Sequence, residues 1–359
     1  MTPVTDAYDA TGARTYAAAG VDIVAGERAV DLMRTAVAAA GRPEVVGGLG
    51  GFAGLFRLDP SAYRRPLLAT STDGVGTKVA IAQALDRHDT VGIDLVGMVA
   101  DDLVVCGAEP LFLTDYIACG QVVPERIAAI VAGVAEGCRR AGCALLGGET
   151  AEHPGLLGPE DYDLAGAGTG VVEEDNLLGR HRVQVGDALV GLASSGLHAN
   201  GYSLVRQVLL TDAGWTLERS IEELGRTLGE ELLEPTRIYA RGCLAAAAAY
   251  DVHALAHVTG GGLAANLARV LPVYADAVLD RGAWTPPAIF GLVGGVGRVE
   301  QAELERVLNM GVGMVAVVAS DEADGVLRLL REHGLPAWPL GEVVGGSGSV
   351  RLTGTHPAG

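Results

Sequence analysis

The sequence predicts a two-domain α/β (α+β) protein, and three observations carry that expectation. The chain has 359 residues, more than one hydrophobic core usually organises, so two units of about 150–200 residues are expected. Short β-compatible apolar runs alternate with helix-period segments in both halves. Aliphatic residues, Ala and 52 glycines dominate while aromatics supply only 4%, a composition suited to helices lying close on sheets.

Several function classes are excluded at this stage. The longest apolar runs, such as Val312 to Ala319, fall far short of the ~20 residues a membrane span needs. The opening MTPVTDAYDATG lacks a basic stretch followed by an apolar core, so no signal peptide and a cytoplasmic location are expected. Cys106, Cys119, Cys138, Cys143 and Cys243 lie in apolar surroundings without CxxC spacing; they read as core thiols, not as a disulfide framework or zinc site. A net charge of −18 argues against a nucleic-acid surface. It does not argue against ATP, whose phosphates can be met through Mg²⁺ by carboxylates.

Residues 1 to about 25 show no sustained period and read as a loosely ordered arm. From Ala29, apolar Val30, Met33 and Val37 form one helical face that ends at Gly41 and Pro43. Val46 to Phe52 places Gly47, Gly48, Gly50 and Gly51 in five positions, which no regular helix tolerates, and is expected to be a mobile cover loop. Next, the strand-like run from Leu67 breaks into Thr72-Asp73-Gly74-Val75-Gly76-Thr77-Lys78. A carboxylate, two glycines and a lysine after a strand suit a phosphate and its metal. The glycines are too close together for a GxxxxGK[ST] loop.

Val91 to Gly107 is helical in period. Asp94 and Asp101, seven residues apart, differ by only ~20° around that helix, and Asp102 lies ~80° from Asp94. Three carboxylates on an otherwise apolar helix need a charge partner or a metal. Leu111 to Cys119 reads as a buried strand, Pro124 opens a helix with Ile127, Ile130, Val131 and Val134 on one face, and Cys143 to Leu146 is a short strand emptying into Gly147-Gly148-Glu149-Thr150. Asp163 to Val172 is another strand. The polar stretch Glu173 to Gly186 marks the domain boundary, giving units 1–175 and 176–359.

The second half begins with strand Ala188 to Ala193, loop Ser194 to Ser203 and a helix from Leu204. A helix from Ile238 to Ala249 follows, and Ala256 to Val258 leads into Thr259-Gly260-Gly261-Gly262 before helix Leu263 to Val270. Glycines ahead of a helix favour an anion there. Helix Glu303 to Leu308, a strand from Val312 to Ala319, a final helix and short strands complete the chain. His198, beside Asn200 in a loop, is a candidate to hold substrate or shuttle a proton, and His257 is a similar candidate. Asp73, Asp102 and Glu149, brought from separate elements, form a plausible oxygen-only Mg²⁺ set. No Ser/His/Asp triad is discernible.

An ordered set of motifs adds a resemblance. VDI-x-AG (21–26), RPEVVGGLGGF (42–52), TDGVGTK (72–78), RHDTVGIDLV (87–96), DLVVCGAEPLF (102–112), GGETAE (147–152), DYDLAG (161–166), GLHANGYSLVR (196–206), EPTRIY (234–239), HVTGGG (257–262) and NMGVGM (309–314) together resemble the phosphoribosylformylglycinamidine cyclo-ligase (AIR synthetase) family over nearly the whole chain. The resemblance implies a two-domain AIR-synthetase-like fold whose amino-terminal sheets pair in a homodimer, with ATP near the dimer's clefts. It implies ATP-dependent closure of formylglycinamidine ribonucleotide to aminoimidazole ribonucleotide, a step of purine biosynthesis. By the same resemblance, Asp73, Asp102 and Glu149 would ligate Mg²⁺. Lys78 would meet the phosphates and Asp94 would support nucleotide or metal. Gly47 to Gly51 would cover the phosphates beside Gly74, Gly76 and Thr77. His198, Asn200, Thr259, Gly260, Gly261 and Gly262 would handle the ribonucleotide, with Asp73, Lys78, Asp94 and His198 as the catalytic set. Asp101 stands where the family usually has Asn, and Ala199 where Ser is common. Thiamine-monophosphate kinase, selenophosphate synthetase and a hydrogenase-maturation relative are rivals from the same superfamily. The first cysteine is Cys106 and the chain ends His356-Pro357-Ala358-Gly359, which removes the reactive cysteines of the latter two. A catalytically silent purine-nucleotide sensor is the rival from another class.

Overall fold

Asp22 starts the first helix: in an extended conformation, it accepts hydrogen bonds from the backbone N–H of Val24 and Ala25 at 3.0 and 3.1 Å, the N-cap arrangement. In this computed structural model, which describes residue 16, residues 19–48 and residues 50–357, helix α1 therefore spans Ile23–Ala39 and begins earlier than the apolar period alone suggests. The loosely ordered arm expected over residues 1 to about 25 lies largely outside the described residues, as does Leu49 in the glycine loop.

A two-residue ladder of β1 (Val45–Val46) and β2 (Leu55–Phe56) brackets that loop. The first sheet holds β3 (Pro66–Gly74), β4 (Glu109–Cys119), β5 (Ala144–Glu152) and β6 (Tyr162–Glu173) in the order β3-β6-β4-β5. All its pairs are antiparallel except β4 with β5. Helices α2 (Val79–Leu85), α3 (Val91–Val104) and α4 (Pro124–Ala141) complete this half. The parallel β4–β5 pair is bridged by α4, as a parallel crossover requires. Pairing with β4 carries β5 through Glu152, so Gly147-Gly148-Glu149-Thr150 is strand and not the loop expected after Leu146.

Glycines let this half close up. A Cβ at Gly168 of β6 would lie 2.6 Å from Val99 Cγ1 on α3, and one at Gly166 would lie 3.2 Å from Leu95 Cδ2. Thus α3 rests directly on one sheet face. The opposite face, with Leu68, Thr70, Thr72, Thr114 and Tyr116, is largely uncovered; Leu68 is 68% exposed. Between α3 and α4 the approach is closer still: a Cβ at Gly92 would lie 2.3 Å from Val134 N and 2.4 Å from Ile130 O.

The second half begins with β7 (Ala188–Ala193), α5 (Tyr202–Arg206) and a π-helical turn over Gln207–Asp212. After a small ladder of β8 (Ser220–Ile221) and β9 (Arg226–Thr227), Thr227 and Glu230 form a capping box at α6 (Leu228–Leu232). The chain continues through α7 (Ala240–Ala249), β10 (Val252–His257), α8 (Gly262–Ala268), β11 (Ala275–Asp280), α9 (Ala288–Gly297) and α10 (Gln301–Val307). It ends with β12 (Val312–Val318), α11 (Ala323–Glu332), β13 (Ala337–Gly345) and β14 (Val350–Thr353). Six strands form the second sheet in the order β10-β12-β7-β13-β11-β14, antiparallel except β11 with β14. Strand β12 is buried at every residue because the sheet is covered on both faces. Sequence periodicity missed β11 and α9, the latter because four of its ten residues are glycine.

The α3–α4 contact yields a prediction. Gly92→Ala forces the methyl group into backbone atoms that no rotamer change can move, so about 3 kcal/mol or more of stability should be lost. Urea unfolding of the variant beside the parent checks it, and a loss under about 1 kcal/mol would contradict the backbone-on-backbone packing.

Candidate active site

Strand β3 delivers Asp73 to the edge of the first sheet and then turns sharply at Gly76 (φ +72). The turn sends Lys78 inward. Lys78 is wholly buried, and Nζ donates to Asp94 Oδ1 (2.8 Å), His198 O (3.0 Å) and Glu234 O (2.6 Å). The same Asp94 oxygen accepts from Thr236 N (2.8 Å) and Thr236 Oγ1 (2.6 Å). Burial pushes Lys78 down and Asp94 up, while each opposes that shift in the other. With three acceptors around the ammonium and several donors on the carboxylate, the charged pair is the form this environment supports. Lys78, expected at the phosphates, has three acceptors inside the protein around its ammonium. Asp94, wholly buried, holds Lys78 and Thr236.

Further along α3, Asp101 accepts from Tyr239 N at 3.0 and 3.1 Å, and burial pushes it up to about 7 against the opposing influence of nearby His257 and the Tyr239 N–H. Asp102 is about 41% exposed at its side chain, and its Oδ1 accepts from Nδ1–H of buried His257 (2.9 Å). The other nitrogen, His257 Nε2, has no partner among the described residues. Asp73 lies near Asp102 and His257; it is half-buried, and burial raises it while the Gly74 N–H on Oδ1 (2.7 Å) lowers it.

Glu149 stands apart. Across the sheet Asp73 registers with Gly166, Gly166 with Asp115 and Asp115 with Gly148, so β3 and β5 are three strand spacings apart. That is roughly 14 Å. Among the described residues no group of three or more His, Cys, Asp or Glu side chains can hold a metal ion. The expected ligand set of Asp73, Asp102 and Glu149 is thus not assembled within one chain.

Two spaces hold most of the other expected residues. A cleft of about 650 Å³ between the halves is lined by Asp73, Gly74, Gly76 and Thr77 on one wall and by Asn200 and Ser203 on the other. Thr77 Oγ1 and Ser203 Oγ are 3.2 Å apart, so the glycine turn and the second-half loop meet directly. Gly260 borders Asn200, and Asn266 Nδ2 donates to the carbonyls of Thr259, Gly260 and Gly262 (3.3, 3.2 and 2.8 Å), which fixes the TGGG loop. Gly261 and Gly262 both have positive φ, and a Cβ at Gly262 would collide with Glu305 O. His198, expected to handle the ribonucleotide, is not among the residues lining the cleft. It is 2% exposed, accepts from Ser195 N at Nε2 (3.1 Å) and is pushed well below the usual histidine range by burial, so it is a neutral structural residue in this arrangement.

The second space, about 490 Å³, lies between α1, the glycine loop and β5. Gly50, Gly51, Gly147, Gly148 and Glu149 border it, whereas Gly47 and Gly48 border a neighbouring cavity with Arg42 and Leu146. At its inner end is Asp115, which the sequence reading passed over. Asp115 is 9% exposed, and burial pushes it up to about 7 with only its own backbone N–H opposing. Its signal was available: in LFLTDYIAC the inward positions are Leu113, Asp115, Ile117 and Cys119, a carboxyl in an apolar alternation. Thr236 and Tyr239, the partners of Asp94 and Asp101, gave no comparable signal.

Comparison with known proteins places this geometry in a family. "AIR synthase related protein, N-terminal domain" matches residues 54–172, and "AIR synthase related protein, C-terminal domain" matches residues 184–353. The chain belongs to the AIR synthase related family. It is 51% identical to a phosphoribosylformylglycinamidine cyclo-ligase of Geobacillus kaustophilus, over 94% of this chain and 97% of that one. With the enzyme of the same name from Bacillus mycoides it shares 49%, over 96% and 99%. Solved structures of lower identity share the AIR synthase fold. Thiamine-monophosphate kinase from Stenotrophomonas maltophilia has a TM-score of 0.64 at 20% identity, covering 92% of this chain and 97% of that one. A hydrogenase maturation protein in complex with ATP has a TM-score of 0.65 at 19% identity, covering 91% and 90%.

Asp115 supplies the prediction here. Its folded pKa of about 7 exceeds the unfolded value near 3.9, so the folded state binds the proton more tightly. The contribution is present below pH ~4 and is lost as pH rises through ~7. Asp115→Asn removes this loss, so the variant's advantage in Tm over the parent should grow from pH 5 to pH 8. Melting curves across that range check it; an advantage that shrinks with rising pH would contradict the assignment.

Proposed function

We propose that this protein is an ATP-dependent phosphoribosylformylglycinamidine cyclo-ligase, closing formylglycinamidine ribonucleotide to 5-aminoimidazole ribonucleotide with release of ADP and phosphate in purine biosynthesis. The observation that carries the reading is about 50% identity, over nearly the full length of both chains, to enzymes of that name. The cleft between the halves supports it, because glycine-rich backbone and polar side chains from both halves converge there.

The chemistry needs positioning above all. A formamide carbonyl is a poor electrophile; transfer of the γ-phosphoryl group to its oxygen creates a phosphate leaving group, and the amidine nitrogen then attacks the formyl carbon. In this reading Gly74, Gly76 and Thr77 face the phosphates from the first half. Asn200 and the Thr259–Gly262 loop hold the ribonucleotide from the second. Asp102 orients His257, whose Nε2, without a partner among the described residues, is proposed as a proton acceptor. Lys78, Asp94 and His198 act behind the cleft by fixing its two walls. Magnesium is proposed only as the counter-ion of ATP, since the three expected ligands do not converge.

Three further features belong to the proposal. The uncovered face of the first sheet, with exposed Leu68 and Tyr116 among small and β-branched residues, supports a homodimer formed by pairing these faces. The division into units 1–175 and 176–359 accords with the two sheets. A cytoplasmic site of action accords with the lack, among the described residues, of any helix long and apolar enough to cross a membrane.

The test is phosphate release measured with and without formylglycinamidine ribonucleotide. Release that requires the ribonucleotide, with formation of the aminoimidazole product, is expected. ATP hydrolysis indifferent to it would point to another phosphoryl-transfer member of the superfamily. In the same assay Asp102→Asn should lose tenfold or more in kcat with unchanged melting, on the order expected when an electrostatic group is removed from a reacting site. Activity within about threefold of the parent would take Asp102 out of the machinery.

A further inference from the structure

We propose that Arg226 is a positioning residue for the cleft: by neutralising the carboxylates of Glu231 and Glu234 it leaves the ammonium of Lys78 to Asp94, and so fixes where the glycine turn stands against the Asn200 wall. The inference rests on the cyclo-ligase reading above and adds to it a residue that is not among those lining the cleft.

Arg226 opens β9, and Thr227 beside it is the N-cap of α6. Its Nε and Nη2 reach Glu231 Oε2 at 2.7 and 2.6 Å, and Nη1 donates to Glu234 Oε2 at 2.6 Å. One planar guanidinium thus ties two carboxylates, a fork that the point charge of a lysine does not reproduce. Glu231 is only 7% exposed, and a carboxylate so placed needs a cation.

Both glutamates also act on Lys78. Burial pushes Lys78 down, and Asp94, Glu234 and Glu231 oppose that shift in that order. The Glu234 side chain hangs from the residue whose carbonyl accepts from Nζ at 2.6 Å, so once released from Arg226 it competes with Asp94 for the same ammonium. The consequence reaches the cleft because Lys78 ends the turn that carries Gly74, Gly76 and Thr77. Helix α2, which follows that turn, rests on α6: a Cβ at Gly229 would lie 2.7 Å from Leu85 Cδ1. A turn displaced by about an ångström spoils a reaction that depends on setting phosphoryl donor against acceptor. The sequence makes the effect readable, since Lys78 is the sole lysine among the 359 residues. Protein labelled with nitrogen-15 lysine therefore carries a single side-chain ammonium signal.

That signal and steady-state kinetics test the clamp together on the full chain. Arg226→Met should shift the Lys78 signal and lower kcat about tenfold or more, as misplacement in a reacting site does. Arg226→Met/Glu231→Gln/Glu234→Gln, which removes the stray carboxylates along with the cation, should return the signal to its place and kcat to within about threefold of the parent, a rescue that lost packing at Arg226 does not allow. An unmoved signal in Arg226→Met, or a triple variant no better than the single one, would overturn the proposal. Should the single variant not fold, the triple variant decides: a parent-like signal and rate uphold the clamp, and a displaced signal or a rate still about tenfold down overturns it. A signal that moves and returns as expected, in a parent that releases no phosphate with the ribonucleotide present, would uphold the clamp on Lys78 and sink the cyclo-ligase reading instead.

Discussion

The buried pair of Lys78 and Asp94 is the interaction on which the rest of the site depends. Desolvating two charges is costly, and their attraction offsets that cost only where the remaining hydrogen-bonding groups are satisfied. Here they nearly are: the ammonium also meets His198 O and Glu234 O, and the carboxylate meets Thr236. Lys78 and Asp94 both belong to the first half and these partners all belong to the second, so the contacts cross between the halves. One ion pair thereby holds the end of the glycine turn, helix α3, the His198 loop and the segment leading to α7 in one register. The cleft walls that carry Thr77 and Asn200 are set by this contact, together with the Thr77–Ser203 contact at the surface.

The second constraint is steric. Helix α3 can supply Asp94, Asp101 and Asp102 at the junction only because Gly166 and Gly168 let it rest on the first sheet and Gly92 lets α4 lie against it. The abundance of glycine, which in the sequence reads as loop material, is in large part packing material. The other face of that sheet is left largely uncovered.

Much of the fold is legible in the sequence because the buried strands and α4 have strong periodic patterns. Strand β7 has its expected bounds and β12 differs by one residue. The site is legible in composition but not in geometry. TDGVGTK shows which groups matter, yet whether a lysine faces a phosphate or a buried aspartate depends on the turn at Gly76 and on residues more than a hundred positions away. Asp73, Asp102 and Glu149 likewise appear as equivalent acids until strand order puts Asp73 and Glu149 on opposite edges of a four-stranded sheet. Asp115 shows the reverse case, a local pattern that carried the information and was outweighed by the louder glycine motifs.

A double-mutant cycle on Lys78 and Asp94 tests the central claim most directly. Lys78→Met and Asp94→Leu each leave an uncompensated buried charge, and unfolding in urea should show a loss of about 3–5 kcal/mol for each. The double variant, with neither charge, should recover most of that loss, giving a coupling of several kcal/mol. Single losses under about 1 kcal/mol that simply add in the double variant would contradict the account, because the two halves would then be held together by something other than this pair.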